Sequence, residues 1–189
     1  MATGDAIDWG FETSRIRARL IDNRDRDLYL KLYTDPAVMA HIGATKSAAE
    51  AIDVFEKVLG YNAETPVRAR YWRLSHSGFD DPIGLQSIVR PSADPATVEL
   101  GTMLLPQSQG QGFGLEVSDR IVALLFGNHW RLDTEAVFAL HASANVRVAR
   151  LGVTLRFQPV EQPAPARAEW RLSREQWRAR SLGALRSGE

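Results

Sequence analysis

Three glycines alternate with other residues in the segment Pro106–Gly114, which reads PQSQGQGFG and is here called the Gly loop. Glycine permits positive φ angles and close approach of a ligand to the backbone. If a helix begins at the end of this segment, its first N–H groups lie unpaired at the positive end of the helix dipole, where they bind anions and typically phosphates. The Gly loop therefore predicts an anion site, although a glycine-rich turn without a ligand has the same pattern.

Two familiar phosphate motifs do not fit the Gly loop. A Walker loop requires Lys and then Ser or Thr after its last glycine, whereas Phe113 and Gly114 follow Gly112. A dinucleotide fingerprint that begins at Gly110 requires Gly or Ala at position 115, where this chain has Leu115. A nucleoside-triphosphate site and a dinucleotide site are both disfavoured.

The elements around the Gly loop follow from apolar periodicity. Residues 97–105 form a β-like run whose end lacks alternation, which predicts a strand buried on both faces or bulged near Gly101. After the loop, one helical face is apolar and gives the strongest helical pattern in the chain: Val117, Ile121, Leu124 and Leu125. The order of strand, loop and helix brings the N-terminus of that helix to the loop.

The remaining patterns predict a mixed fold. Other strands are predicted at 14–20, 68–75, 83–89, 132–140 and 167–172. Helices are predicted around Leu28–Tyr33, through Val38–Met39 after Asp35–Pro36, from the capping box of Ser47 and Glu50 to Gly60, and over Asn145–Leu151 with Gly152 closing it. The first strands form an antiparallel meander, and a helical crossover makes strands 97–105 and 132–140 parallel. The expectation is one twisted sheet with helices on both faces.

Composition narrows the function classes. The chain has 189 residues, enough for one domain, and 23 basic and 23 acidic residues, so no positive field is available for a nucleic acid or an anionic membrane. Only three of the basic residues are lysines, which favours bidentate binding of carboxylate or phosphate. There is no cysteine, no secretory-signal pattern in Met1–Gly10 and no apolar run of membrane-spanning length. We expect a cytoplasmic protein.

The Gly loop also contains Gln109-x-x-Gly112-x-Gly114. This resembles the Gln/Arg-x-x-Gly-x-Gly/Ala signature of the GNAT superfamily of N-acetyltransferases, which lies between the fourth strand and third helix of that fold. The chain is most similar to the branch that includes the ribosomal-protein N-terminal acetyltransferases. Further segments resemble that branch in order: Thr13–Leu20, Leu32–Met39, Tyr71–Trp72, Pro82–Gly84, Val98–Pro106 and Asn145–Gly152. The resemblance covers nearly the whole chain.

The resemblance implies a single α/β domain with a mostly antiparallel sheet of about seven strands, splayed between strands four and five. It implies acyl transfer from acetyl-CoA to an amine, without a metal. The pyrophosphate would be held by backbone N–H groups of the Gly loop: Gln109, Gly110, Gln111, Gly112, Phe113 and Gly114. Met103 and Leu104 would pair their main chain with the pantetheine arm and help to polarise the thioester carbonyl. Their side chains can belong to the core at the same time.

Direct transfer needs a neutral amine, yet an α-amino group has a pKa near 8 and a lysine about 10.4. A base or a water relay must therefore remove a proton. Glu99 is the candidate, because it lies four positions before Met103 and strand alternation places both side chains on one face. The alternative is a solvated or ion-paired strand carboxylate.

The departing thiolate needs a proton donor. Every tyrosine precedes the Gly loop, so the downstream tyrosine of many family members is missing. Val148 stands where the resembled branch often has serine, and Ser143 is the nearest hydroxyl; its alternative role is that of a turn residue. Asn145 matches the family residue that hydrogen-bonds the cofactor arm, and it also suits a helix N-cap.

Four residues are candidates for the acceptor pocket: Tyr33, His41, Arg70 and Trp72. Aromatic residues and a lone histidine are more often packing or surface groups. His76, His129 and His141 have no metal-site spacing.

The predicted organisation is an N-terminal extension over 1–12, the acetyltransferase domain over 13–173 and an Arg-rich, helical tail over 174–189. The expected partner is a peptide or small-molecule amine, bound by a monomer or homodimer. The alternative function is a CoA-binding module without catalysis, suggested by Val148 and the missing tyrosine.

Overall fold

The computed structural model describes residues 7–40, 42–161 and 167–179. These residues form one sheet of eight strands in the order β1-β2-β3-β4-β5-β6-β8-β7. The strands are β1 (Phe11–Glu12), β2 (Ile16–Leu20), β3 (Ala69–His76), β4 (Pro82–Val89), β5 (Thr97–Leu104), β6 (Ala136–Ala142), β7 (Gln158–Val160) and β8 (Arg167–Ser173). The α-helices are α1 (Arg26–Thr34), α2 (Pro36–Met39), α3 (Ala48–Ala63), α4 (Phe113–Phe126) and α5 (Val146–Thr154). The mixed α/β fold is confirmed.

Capping side chains fix the helix starts that the sequence predicts. Ser47 and Glu50 form a reciprocal capping box at α3. Asp35 accepts a hydrogen bond from Ala37 N at 2.8 Å, and Pro36 occupies the first turn of α2. The sequence predicts both helix starts because each depends on residues that are close together in the chain.

The predicted meander and crossover are both present. Strands β2 to β5 pair antiparallel with their neighbours, and α4 returns the chain so that β5 and β6 run parallel. Of the two alternatives for residues 97–105, the bulge near Gly101 is absent, since the β4–β5 register continues through Ser87↔Gly101, and the strand has buried side chains on both faces. A register shift lies instead between Leu74 and Ser75.

Two boundaries and the number of strands differ from the sequence expectation. The strand predicted from Leu132 begins only at Ala136, because the chain is still turning at Arg131 and Asp133, both with positive φ. Helix α5 does not end at Gly152 but continues to Thr154. The short edge strands β1 and β7 raise the strand number to eight from the expected seven or so. Of the predicted helical tail, residues 174–179 are helical, and 180–189 lie outside the described residues.

The sheet separates two apolar clusters. One lies on the face of α4 and α5 and includes Trp72, Phe113 and Val117. The other lies on the face of α1, α2 and α3 and includes Leu85 and Met103. Consecutive residues of β5 therefore face opposite clusters, as strand alternation requires.

The sheet opens between its two parallel strands. Only three residue pairs join β5 to β6, from Thr97↔Ala136 to Glu99↔Phe138. Beyond them, β5 stays paired with β4 as far as Leu104, and β6 stays paired with β8 as far as Ala142. The splay between the fourth and fifth predicted strands is thus present, between β5 and β6. Within the described ranges, no helix has the length and apolar character needed to span a membrane.

Candidate functional site

The Gly loop ends in a helix start that has no side-chain cap. Gly110 and Gly112 have φ angles of 77° and 82°, the left-handed region that favours glycine. Gly112 is the N-cap of α4 and contributes no side-chain hydrogen bond. No acceptor for the backbone N–H groups of residues 110–115 is found among the described parts of the chain. These donors therefore remain available to an anionic ligand.

The glutamine side chains of the Gly loop are used within the protein. Gln109 Nε2 donates to Leu104 O at 3.1 Å, and Gln111 Nε2 donates to Gln107 O at 2.7 Å. Arg147 of α5 donates to Gln109 Oε1 at 3.3 Å. The side chains of Gln109 and Gln111 therefore hold the loop by contacts within the protein.

Phe113 is buried in the α4-side cluster, so its side chain anchors the loop. A cleft of about 710 Å³ adjoins the loop on the side of β2, and Arg15, Gly112 and Glu116 contribute to its walls. The loop thus lies between this cleft and the β5–β6 opening.

Backbone direction distinguishes Met103 from Leu104. Leu105 N donates to Ile83 O, so the backbone groups of residue 105 point towards β4. Glu135 N donates to Ala96 O, so the backbone N–H and C=O groups of the even-numbered residues of β5 point towards β6. Leu104 O fits this alternation because it accepts from Gln109 rather than from β4. Thr102 and Leu104 therefore present main-chain groups to the opening, while those of Met103 face β4.

Glu99 lies in the last β5–β6 residue pair, at the vertex of the opening. Burial raises the pKa of this half-buried carboxyl above its usual value; Arg167 opposes the shift and Glu169 adds to it. The side chains of Glu99 and Met103 share the face of α1, α2 and α3. The opening thus places a carboxyl with raised proton affinity at its narrow end.

Tyrosines line the same face as Glu99. Tyr71 shares it through the pairs Tyr71↔Ser87 and Ser87↔Gly101. Burial raises the pKa of Tyr71 to about 12, with further contributions from Tyr33, Tyr61 and Glu99. Tyr33, a candidate from the sequence, is partly buried in this cluster and stacks on Tyr29 at 4.3 Å between ring centroids. His41 lies outside the described residues.

Two other pocket candidates lie elsewhere. Trp72 is fully buried on the α4 face, where it stacks on Trp130 and its Nε1 donates to Trp9 O at 2.6 Å. It belongs to the core and does not line an open pocket. Arg70 is also buried and donates to the carbonyl oxygens of Tyr61 and Glu64, so it fastens the end of α3 to β3.

Ser143 lies in the turn after β6 and is exposed. Ala142, the last residue of β6, is four residues beyond Phe138, the partner of Glu99, which corresponds to about 13 Å along the strand at ~3.3 Å per residue. Ser143 follows Ala142, so the structure does not bring it together with Glu99.

Asn145 is the N-cap of α5, and its Oδ1 accepts from Val148 N at 3.3 Å. The predicted cap is confirmed. Its side-chain NH₂ group is still a donor that a cofactor arm can use. No cluster of three or more His, Cys, Asp or Glu side chains suited to a metal ion occurs in the described ranges.

The sequence matches the family model described as "Acetyltransferase (GNAT) domain" over residues 15–158. That match spans well over half of the chain. The chain belongs to the GNAT acetyltransferase family. The family expected from the Gly loop is confirmed, and its members are acetyltransferases. Comparison with curated protein sequences returned no significant match.

Solved GNAT structures share the fold. The spermidine N-acetyltransferase from Vibrio cholerae, in complex with CoA and spermine, has a TM-score of 0.73 and 14% identity, covering 87% of this chain and 99% of that one. Apo FdhC, a nucleotide-linked sugar GNAT, has a TM-score of 0.74 and 13% identity, covering 95% and 98%. An acetyltransferase from Agrobacterium tumefaciens has a TM-score of 0.72 and 16% identity, covering 86% and 93%.

Sequence reasoning missed Thr102, Tyr71 and Arg15 as neighbours of the site. Thr102 and Tyr71 follow from strand alternation once the β4–β5 register is known, and that register is not written in the local sequence. Arg15 stood in an alternating arginine pattern, but nothing in that pattern indicated a contact about a hundred positions away.

Proposed function

We propose that this GNAT protein transfers an acetyl group from acetyl-CoA to a primary amine by direct attack in a ternary complex. The observation that carries the proposal is the alignment of two features. The unpaired N–H groups of the Gly loop lie at one end of the β5–β6 opening, and Glu99 lies at its vertex.

The opening suits an extended, amide-bearing arm. Thr102 and the N–H of Leu104 lie beyond the last β5–β6 residue pair and point to the β6 side, so these main-chain groups can hydrogen-bond the pantetheine amides as another strand would. The N–H groups of the Gly loop would hold the pyrophosphate, and Asn145 would donate to the arm. A backbone N–H that faces the thioester carbonyl would stabilise the negative charge that develops there.

Glu99 is proposed as the general base. The raised pKa of its carboxyl makes the ionised form a stronger proton acceptor than an exposed glutamate. It would take a proton from the ammonium form of the acceptor, directly or through one water. The chain contains no cysteine, so a cysteine acyl-enzyme is excluded and direct attack is favoured.

Ser143 is proposed as the donor to the departing thiolate, because it directly follows β6, the strand on the opposite side of the opening from β5. The acceptor enters from the side of Tyr33 and Tyr71, the face that Glu99 shares. A cationic amine suits this face, since aromatic rings and a carboxylate attract ammonium groups. The proposed acceptor class is a primary amine, either a small molecule, as spermidine is for the spermidine N-acetyltransferase from Vibrio cholerae, or a peptide N-terminus, as the sequence resemblance implies.

The test has two parts. Calorimetry should show CoA binding, and thiol release should occur with at least one member of a panel of polyamines, amino acids and peptides. Intersecting initial-velocity lines are expected for a ternary complex, whereas parallel lines would contradict direct attack.

Failure to bind CoA would refute the proposal altogether. Tight CoA binding without thiol release across the panel would instead favour a CoA-binding module without catalysis. The Glu99→Gln variant serves as the control, because it should bind CoA as the wild type does.

A further inference from the structure

Arg15, just before β2, contacts both the Gly loop and α4. Its Nη1 donates to Gln111 O at 3.1 Å, while its Nε and Nη2 lie 2.7 and 2.6 Å from the carboxylate of Glu116. The guanidinium also lies over the ring of Phe113, 4.7 Å from the centroid. One side chain from a distant strand thus joins the loop to the first turn of the helix.

Glu116 carries a negative charge in the first turn of α4. Its Oε1 accepts from Thr13 Oγ1 at 2.5 Å and from Arg15 N at 3.0 Å. Burial works to raise the pKa of Glu116, but the hydrogen bonds from Thr13 and Arg15 outweigh it and the pKa is lowered. The carboxylate is therefore ionised at neutral pH.

An ionised carboxylate has opposite effects on the helix and on its ligand. It stabilises the positive end of the α4 dipole. It also repels an anion that approaches the same helix end. A positive partner held against Glu116 removes this conflict, and Arg15 is in that position.

The contact of Arg15 with Gln111 O also sets the orientation of a loop donor. In a trans peptide the C=O and N–H bonds point in opposite directions. With Gln111 O held towards Arg15, the N–H of Gly112 points away from Arg15. Gly112 accepts this conformation at a φ of 82°, which a residue with a Cβ adopts rarely.

We propose that Arg15 is a positioning residue of the cofactor site, which compensates the charge of Glu116 and orients the Gln111–Gly112 peptide so that the Gly loop binds a diphosphate. This inference rests on the proposed use of acetyl-CoA. Arg15 acts through Glu116 and the loop rather than by contacting the phosphates itself.

The experiment measures the CoA Kd by calorimetry and the KM values of both substrates in Arg15→Ala, Glu116→Gln and the double variant. Arg17→Ala, two residues further along the chain, is the matched control, because it removes an exposed Arg–Glu pair of 2.8 Å with Glu12, and Arg17 itself is not among the residues that line the cleft beside the loop. Thermal unfolding of each variant reports folding separately.

Arg15→Ala should raise the Kd for CoA about tenfold, the size expected for an uncompensated charge at a helix terminus. The KM for acetyl-CoA should rise in parallel, while kcat and the KM for the amine stay within about twofold. Because Glu116→Gln removes the repelling charge, it should leave the Kd within about threefold of wild type. The double variant should bind CoA more tightly than Arg15→Ala but more weakly than Glu116→Gln, because the contact that orients the Gln111–Gly112 peptide is still missing. Arg17→Ala should leave the Kd unchanged.

Two results would overturn the inference alone: an Arg15→Ala Kd equal to that of Arg17→Ala, or a double variant as weak as Arg15→Ala, which would leave no role for compensation of the Glu116 charge. A wild type that does not bind CoA would refute the proposed function and the inference together. If Arg15→Ala does not fold, Arg15→Lys replaces it. Lysine keeps the charge but cannot bridge Gln111 and Glu116, so a Kd raised about threefold is expected, and an unchanged Kd would contradict the inference.

Discussion

Replacing Gly152 with alanine should destabilise the protein, although the same change in a helix normally stabilises it. Gly152 lies inside α5, directly against the indole of Trp170 on β8. A Cβ at position 152 would lie 2.8 and 2.9 Å from two ring carbons of Trp170, well inside contact distance. Either the helix or the ring must then move.

The magnitude follows from two opposing contributions. Alanine gains about 0.5–1 kcal/mol over glycine in a helix interior. Forcing an extra carbon into a packed contact destabilises by about 1–3 kcal/mol. The expected net loss is about 1 kcal/mol.

Gly60→Ala provides the matched control. Gly60 lies within α3, and a Cβ there would have no neighbour within 4 Å. This variant should gain the helix contribution alone, about 0.5–1 kcal/mol. The difference between the two variants therefore isolates the clash with Trp170, because the helix contribution is common to both.

Urea unfolding of the two variants and the wild type gives both free-energy changes. Because α5 carries Asn145 at its N-cap, Gly152→Ala should also weaken CoA binding, whereas Gly60→Ala should not. Two variants equal in stability to within about 0.5 kcal/mol, the scatter of neutral surface changes, would refute the argument for close packing.

Three further predictions concern the base, the loop and a surface carboxylate. Glu99→Gln should lower kcat by about 10²–10⁴-fold with little change in CoA affinity. Because burial raises the pKa of Glu99, wild-type activity should fall with decreasing pH at a point above the usual glutamate range. This limb of the pH–rate profile should be absent from the variant, and its persistence there would exclude Glu99 as the base. Gly112→Ala should destabilise the protein by about 1–2 kcal/mol and weaken CoA binding. Gly78→Ala, at a comparable φ of 87° in the β3–β4 hairpin, should destabilise the protein similarly but leave the Kd for CoA unchanged. Equal Kd values for the two variants would argue against an anion site at the loop. Hydrogen bonds from Arg24 lower the pKa of Asp22 to about 2, so its ionised form stabilises the fold above pH ~4 and this stabilisation is lost as the pH falls towards 2. In urea titrations, the difference in unfolding free energy between wild type and Asp22→Asn should narrow over that range. A constant difference down to pH 3 would contradict the assignment.

The features that the sequence predicted correctly are those with local causes. The capping box of Ser47 and Glu50, the stop at Asp35–Pro36 and the apolar face of α4 depend on residues within one or two turns. The crossover that makes β5 and β6 parallel follows from a helix between two strands. The Gly loop was found for the same reason, since its glycines and the following helix are adjacent in the chain.

The features that the sequence did not predict depend on contacts between distant residues. Gly152 looked like a helix end, because nothing nearby in the chain shows that Trp170 occupies the space of its missing side chain. Trp72 looked like a pocket residue, but its aromatic neighbours Trp9 and Trp130 lie about sixty positions away on either side.

The direction of backbone groups was the other feature that could not be predicted. The family resemblance placed Met103 and Leu104 together at the cofactor arm, whereas the β4–β5 register directs their backbone groups to opposite sides. Such a distinction needs the register of a strand, which is fixed by pairing and not by composition.

Only three residue pairs join β5 to β6, so the sheet consists of two parts, with five strands on one side of this junction and three on the other. A junction this short resists twisting far less than a full-length strand pairing. In the proposed complex, the arm of CoA bridges the gap as a removable strand. The mobility of the three-stranded part would then depend on the concentration of acetyl-CoA. We expect proteases to cleave this part faster when acetyl-CoA is scarce than when it is abundant.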